Sequence, residues 1–259
     1  MVYACYYIHI ITRKGVSMKS NGELKNIGFD SLSGNWGIAI LAGLVASALL
    51  GGASSISSGF SSVLSDTVEL FLSTEITASA LVIITIVTVI AMFFSLIISL
   101  AYSLFSGVIR AGYAKFNLNL VNGNTPAFRD IFSYFGYWKN TAFAELLTVL
   151  YVTLGFIAFI IPGIIFSLNY AMVPYILAEK PNTSSSEALE ISKLMMYGNR
   201  MKYFGLMLSF IGWDILAVLT FGIGYIWLTP YKEATRAAFY KEVSKNYELS
   251  ENYTPVFAD

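Results

Sequence analysis

Residues 78–109 read ASALVIITIVTVIAMFFSLIISLAYSLFSGVI, with no charged side chain and no polar one beyond Ser, Thr and a single Tyr. At about 1.5 Å of helix per residue, this run is longer than the roughly 30 Å hydrocarbon layer of a bilayer. It therefore reads as a transmembrane helix that tilts or protrudes. The rest of the chain agrees. Apolar residues make up 56% and charged residues 12%, against about 25% charged in soluble domains. A soluble fold this poor in charge could not cover its own surface, so lipid is the expected solvent.

Working outward, Trp36–Ala53 is a first uncharged run. Ala142–Ile161 is a third, interrupted by Glu145, and Ile164–Ala178 a fourth after the turn signal Pro162-Gly163. Tyr203–Thr229 reads either as one steep span or as a hairpin turning near Gly222 and Gly224. Basic residues accumulate in cytoplasmic loops. With a hairpin, all 16 Lys and Arg fall on one side: Arg13 to Lys25, Arg110 to Lys139, Lys180 to Lys202 and Lys232 to Lys245. Ser54–Thr77, opposite, carries Asp66, Glu69 and Glu75 and no base. The expectation is an all-α, polytopic transmembrane bundle of six spans with both termini cytoplasmic.

Three similar segments precede the odd-numbered spans: Glu23–Trp36, Ala127–Asn140 and Glu187–Arg200, with Ile27, Ile131 and Ile191 in equivalent places. Apolar residues recur at steps of three and four, as in Phe128, Ile131, Phe132 and Phe135, which predicts amphipathic interfacial helices. The layout is then three helical hairpins, each introduced by such a helix. Ser184 with Glu187 fits a capping box, and Thr125-Pro126 fits a cap and first turn. Gly43, Ser47, Gly51 and Ser55 form a stripe of small residues that suits close helix contact in lipid. Met18-Lys19-Ser20 reads as an ordinary start. Residues 1–17 then read as an upstream extension, 18–245 as one transmembrane domain and 246–259 as a cytoplasmic tail.

Ile161-Pro162-Gly163, Glu187-Ala188-Leu189, Met196-Tyr197-Gly198-Asn199, Ser209-Phe210-Ile211-Gly212-Trp213, Gly222-Ile223-Gly224, Pro230-Tyr231 and Ala238-Phe239-Tyr240 together resemble the bacterial membrane family known as domain of unknown function 975. Glu23-Leu24-Lys25 and Gly34-Asn35-Trp36-Gly37 extend the resemblance toward the start, and residues before Met18 have no place in the pattern. The resemblance implies a protein of the bacterial cytoplasmic membrane and brings no catalytic residues.

Zero net charge gives no reason to expect a nucleic-acid partner. Cys5 and His9 are single, so no intrachain disulfide forms and His or Cys metal clusters are excluded within one chain. No Walker loop, His-x-x-x-His, paired-Asp or Gly-x-Ser-x-Gly pattern is present. The reading is a non-enzymatic protein, without cofactor, that binds or moves an amphiphile, a lipid or a peptide. The alternative is a structural or regulatory subunit packed against a partner membrane protein. Arg110, Lys115, Lys232, Glu233 and Arg236 are expected to line a polar pocket open to the cytoplasm, with Glu233 partly neutralising Lys232 and Arg236, that suits an anionic head group. Glu145, Asn169 and Asp214 are the intramembrane polar candidates. Asp214 is expected either to face the bundle with a partner or to sit wet near the outer surface by the Gly222 turn, Glu145 to be solvated one turn into its span, and Asn169 to hydrogen-bond a neighbouring helix.

Overall fold

The computed structural model describes residues 18–51 and 78–251, with isolated positions 62, 65, 66, 68 and 69 between them; side chains at 78–81 and 249–251 are not described. The upstream extension 1–17 and most of the acidic segment 54–77 lie outside the described residues. All regular structure among the described residues is helical. The helices are α1 (Asn21–Leu32), α2 (Trp36–Leu50), α3 (Ala78–Val121), a 3₁₀ helix (Phe128–Tyr137), α4 (Trp138–Ala158), α5 (Ile160–Asn169), α6 (Val173–Glu179), α7 (Ser185–Met196), α8 (Arg200–Leu208), α9 (Ile211–Leu219) and α10 (Tyr225–Glu251).

Four stretches are long and apolar enough to cross a membrane: Val82–Val121, Phe128–Ala158, Ile160–Glu179 and Arg200–Leu219. A fifth is added if α1 and α2, which meet at 104°, count as one broken span. α10 is not among them, because Lys232, Glu233, Arg236, Lys241 and Glu242 crowd its middle. The chain does reverse between α9 and α10, at Phe221 (φ 53°) and Gly222 (φ 86°). α10 continues past residue 245 to Glu251.

α3 is the axis of the bundle. Its inner half packs on α2, α4, α6, α10 and the 3₁₀ helix. Gly112 makes this possible: a Cβ there would lie 2.0 Å from the carbonyl oxygen of Ile131. Val108, Ile109, Phe116, Leu118 and Leu120 are buried. Toward its start the same helix exposes Ile83, Val87, Phe93, Phe94, Leu96 and Ile98, a surface suited to lipid. The small-residue contact of α2 runs through Ala39, Ala42, Gly43 and Ala46 rather than the predicted stripe. Only Gly43 is common to both, because a four-residue step drifts round a helix of 3.6 residues per turn, and Ser47 is exposed.

The first and third of the similar segments share a plan. Ser20 caps α1 by accepting the Glu23 amide, and Ser184 caps α7 by accepting the Glu187 amide, each at 3.3 Å. Leu24, Gly28 and Leu32 are buried along α1, and Ala188, Ser192 and Met196 along α7. Gly34 and Gly198 then take the left-handed conformation, at φ 79° and 80°. The second segment departs from this plan. It is a 3₁₀ helix, so its buried positions, Ile131 and Tyr134, are three apart instead of four. Its cap is the Asp130 carboxylate, which accepts the Ala127 amide at 3.1 Å, rather than Thr125.

Candidate functional site

The expected pocket residues separate into three ion pairs, each built between or along helices of the inner half. Arg110 on α3 meets Glu145 on α4, Nε to Oε1 3.2 Å, with the carboxylate largely buried and the arginine exposed. Glu145 is thus tied to a neighbouring helix rather than merely solvated. Lys232 on α10 donates to both oxygens of Asp214 on α9, at 2.9 and 3.0 Å. Asp214 therefore has the partner its position demands, and Lys232 takes it in place of Glu233. Arg236 pairs with Glu233 one turn back, Nη1 to Oε1 2.5 Å. Lys115 is half-buried and joins no ion pair among the described residues.

The Arg236–Glu233 pair lies in a ring of aromatic and sulfur groups. The Tyr175 hydroxyl donates to Glu233 Oε2 at 3.3 Å, and Arg236 Nε points to Met207 Sδ at 3.4 Å. The Glu233 carboxylate, against the opposing effect of burial, holds the Arg236 guanidinium protonated even more firmly than usual. Further along α10, the Tyr240 hydroxyl donates to Glu179 Oε2 at 2.8 Å. Burial first, and then the Glu179 charge, pushes that phenol well above its ordinary range. Asn169 is buried, but its side chain does not make the expected interhelical bond: its backbone carbonyl accepts from Ser192 at 2.7 Å, and Oδ1 has no partner among the described residues.

A feature that the polar residues did not reveal lies beside Asp214 and Lys232. α1, α2, α9 and α10 enclose an open groove of about 410 Å³ walled by Phe29, Trp36, Trp213, Leu216, Trp227 and Tyr231. That is within the usual range of ligand pockets, about 300–1,000 Å³. Its walls follow one helix face each: Trp213, Leu216 and Ala217 on α9 with its C-cap Thr220, and Trp227, Leu228 and Tyr231 on α10 with Gly224 just before it. Both sets have the spacing i, i+3, i+4, i+7, a signal that was present in the sequence. Tyr231 meets Phe29 edge-on at 5.9 Å and Phe210 at 5.2 Å. Phe210 in turn has Lys25 Nζ 4.3 Å and Lys232 Nζ 6.0 Å from its ring centre. Lys25 also donates to the Ser209 carbonyl at 2.8 Å. The groove is thus largely apolar along its length, and the two ammonium groups gather behind its Tyr231 wall, at the buried Phe210 ring.

Residues 140–247 match the model of a family described as protein of unknown function (DUF975), the family that the sequence resembles. The matched region holds α4 from Asn140 through most of α10, and with it both walls of the groove contributed by α9 and α10. No curated protein and no solved structure matches the chain.

Proposed function

We propose that this is a multi-pass protein of the bacterial cytoplasmic membrane that binds an amphiphile, without chemistry on it, in the groove between α1–α2 and α9–α10. The one-sided distribution of basic residues supports cytoplasmic termini. The observation that carries the reading is the groove itself: aromatic walls of Trp213, Trp227 and Tyr231, with Lys25 and Lys232 gathered at the Phe210 ring that packs on Tyr231. An acyl chain or an apolar peptide segment fits the walls. Two ammonium groups against the single Asp214 carboxylate leave net positive charge beside the groove, behind its Tyr231 wall, which suits an anionic head group. Arg110, Glu145, Glu233 and Arg236 act on this reading as paired charges that hold the helices forming the site.

The test is lipid retention. The full chain, purified in mild detergent, is expected to carry phospholipid visible by native mass spectrometry, and Trp213→Ala with Trp227→Ala to lose most of it while remaining folded. Undiminished retention in that variant would remove the groove from the account. A second reading, a structural subunit packed on another membrane protein, draws on the apolar face of α3 at Ile83, Val87, Ile90 and Phe94, which no described helix covers. Under that reading a membrane partner co-purifies in fixed ratio, and Phe94→Ala with Ile90→Ala releases it.

A further inference from the structure

The depth of the last hairpin follows from its charges. Arg200–Leu219 as a whole is long enough to cross, but Lys25 donates to the Ser209 carbonyl at the break between α8 and α9. Only the nine residues of α9, about 14 Å and roughly half of a 30 Å hydrocarbon layer, therefore lie beyond that charge. At its start, around Ser209 and Phe210, stand the Lys25 and Lys232 ammonium groups, and Lys232 is bound to Asp214. Were the turn at Thr220–Gly224 to reach the far surface, about 20 residues of α10 would lie in hydrocarbon, taking Lys232, Glu233, Arg236, Lys241 and Glu242 with them. With the ion pairs at the near interface, the turn instead ends within the near leaflet.

The turn is built for that place. Lipid offers no hydrogen bonds, so a turn exposed to it must satisfy its own amides. From Thr220 to Leu228 every amide has an acceptor. Phe221 donates to Val218 and Gly222 to Ala217, the two bonds of a Schellman closure. Ile223 and Tyr225 donate to the carbonyls of Thr220 and Gly222, and Gly224 to the Thr220 hydroxyl at 3.0 Å. The apex is occupied by Phe221, in a left-handed conformation (φ 53°) where such closures usually take glycine. Its side chain is 100% exposed, and its neighbours Leu219 and Ile223 are largely so. An aromatic ring kept at an apex that disfavours it, with nothing in the protein to pack on, is accounted for by acyl chains around it.

We propose that α9–α10 is a re-entrant hairpin: it enters from the basic face, turns inside that leaflet and returns, so that its groove takes an acyl chain from a lipid of the cytoplasmic leaflet. The identity of the occupant rests on the groove reading above, whereas the depth of the hairpin does not. With α1–α2 counted as one broken span, four crossings remain among the described residues without this hairpin, and both termini stay on the same side.

The experiment uses the full chain in cells with Cys5→Ser and, separately, Leu219→Cys and Phe221→Cys. Leu219 is unstrained and serves where Phe221→Cys folds poorly. An impermeant maleimide is applied to intact cells, to inverted vesicles and to detergent extracts. Both cysteines are expected to label at least ten-fold more in detergent than in either membrane preparation. A fluorophore at the same sites is expected to be quenched more by lipids brominated at mid-chain than near the head group. Labelling on intact cells would show that the hairpin crosses, and labelling in inverted vesicles that it lies in the cytosol; either overturns the proposal. Loss of bound lipid reports on the groove separately, so a buried turn with an empty groove would overturn only the occupant.

Discussion

The hairpin of α4 with α5–α6 and the hairpin of α9 with α10 are both capped by apolar residues, yet α9, the part of Arg200–Leu219 beyond the Lys25 contact, is less than half as long as α4. α4 alone has 21 residues, about 32 Å, enough to cross the hydrocarbon layer, with Lys139 at its start and the turn at Phe159. α9 has nine residues between Phe210 and the turn. The deep hairpin keeps its one ion pair, Arg110–Glu145, near its base, whereas the shallow one has Asp214–Lys232 within about 10 Å of its apex. Apolarity alone would sort the two alike. The position of the charges, and whether the turn's amides are closed internally, separates them.

The largest expected effect comes from placing a cation at the two apices. Phe221→Lys should cost about 2.5–3.5 kcal/mol of insertion, the price of a lysine near a helix centre in lipid. Phe159→Lys, at the end of a full crossing, should be nearly neutral. Membrane abundance and protease resistance of the two variants read this directly, and equal losses would erase the distinction between the hairpins.

Next is the pair beneath the shallow hairpin. Glu233→Ala strips Arg236 of its carboxylate and Tyr175 of its acceptor, and should destabilise the protein by about 1.5–3 kcal/mol in detergent unfolding, as for lost hydrogen bonds to charged groups. Arg110→Ala leaves Glu145 unpaired at the base of the deep hairpin and should fall in the same range. A loss confined to one variant would show that only one of the two pairs is shielded from water.

A smaller effect is expected from closing the helix contacts. A Cβ on Gly224 would meet the Ala217 backbone at 2.7 Å, whereas one on Gly155 meets chiefly the Phe166 ring edge at 2.5 Å, which can swing aside. Gly224→Ala should therefore cost more than Gly155→Ala, both toward the lower end of the roughly 1–3 kcal/mol of overpacking. The reverse order in thermal unfolding would mean that the shallow hairpin is the looser one.

Much of this was legible in the chain. Uncharged runs marked the membrane helices, glycines at 222 and 224 marked the last turn, and Ser184 with Glu187 marked the start of α7. What was not legible depended on register between distant segments. Lys232 and Asp214 meet only once the turn fixes how α9 lies on α10, so Glu233, its sequence neighbour, was the natural but incorrect partner. The break between α8 and α9 at Ser209 has no Pro or Gly of its own, and is tied down by Lys25, a residue far away in sequence. The 3₁₀ helix at Phe128–Tyr137 carries an apolar pattern that α and 3₁₀ periods share over ten residues, and its close approach to Gly112 of α3 is a tertiary contact that the pattern does not encode. The groove is hard to read from sequence for a different reason: its walls are aromatic, and in a chain rich in apolar residues such positions look like any other lipid-facing or core ones.

The smallest effect is the most informative about depth. Asp214 and Lys232 retain 28% and 22% of their side-chain exposure, so each still has access to its surroundings. If those surroundings are the wet interface, the pair is a partly screened one and Asp214→Asn should cost less than about 1 kcal/mol, with the loss shrinking further as salt is raised. If they were hydrocarbon, the same substitution would strand an ammonium group in lipid, and the loss would approach the several kilocalories seen for unpaired buried charges and ignore salt. Unfolding of Asp214→Asn in lipid bilayers at low and high ionic strength therefore measures where the shallow hairpin begins: a small, salt-sensitive loss puts its base at the surface and its apex inside one leaflet, and a large, salt-insensitive loss makes it a crossing like its deeper counterpart.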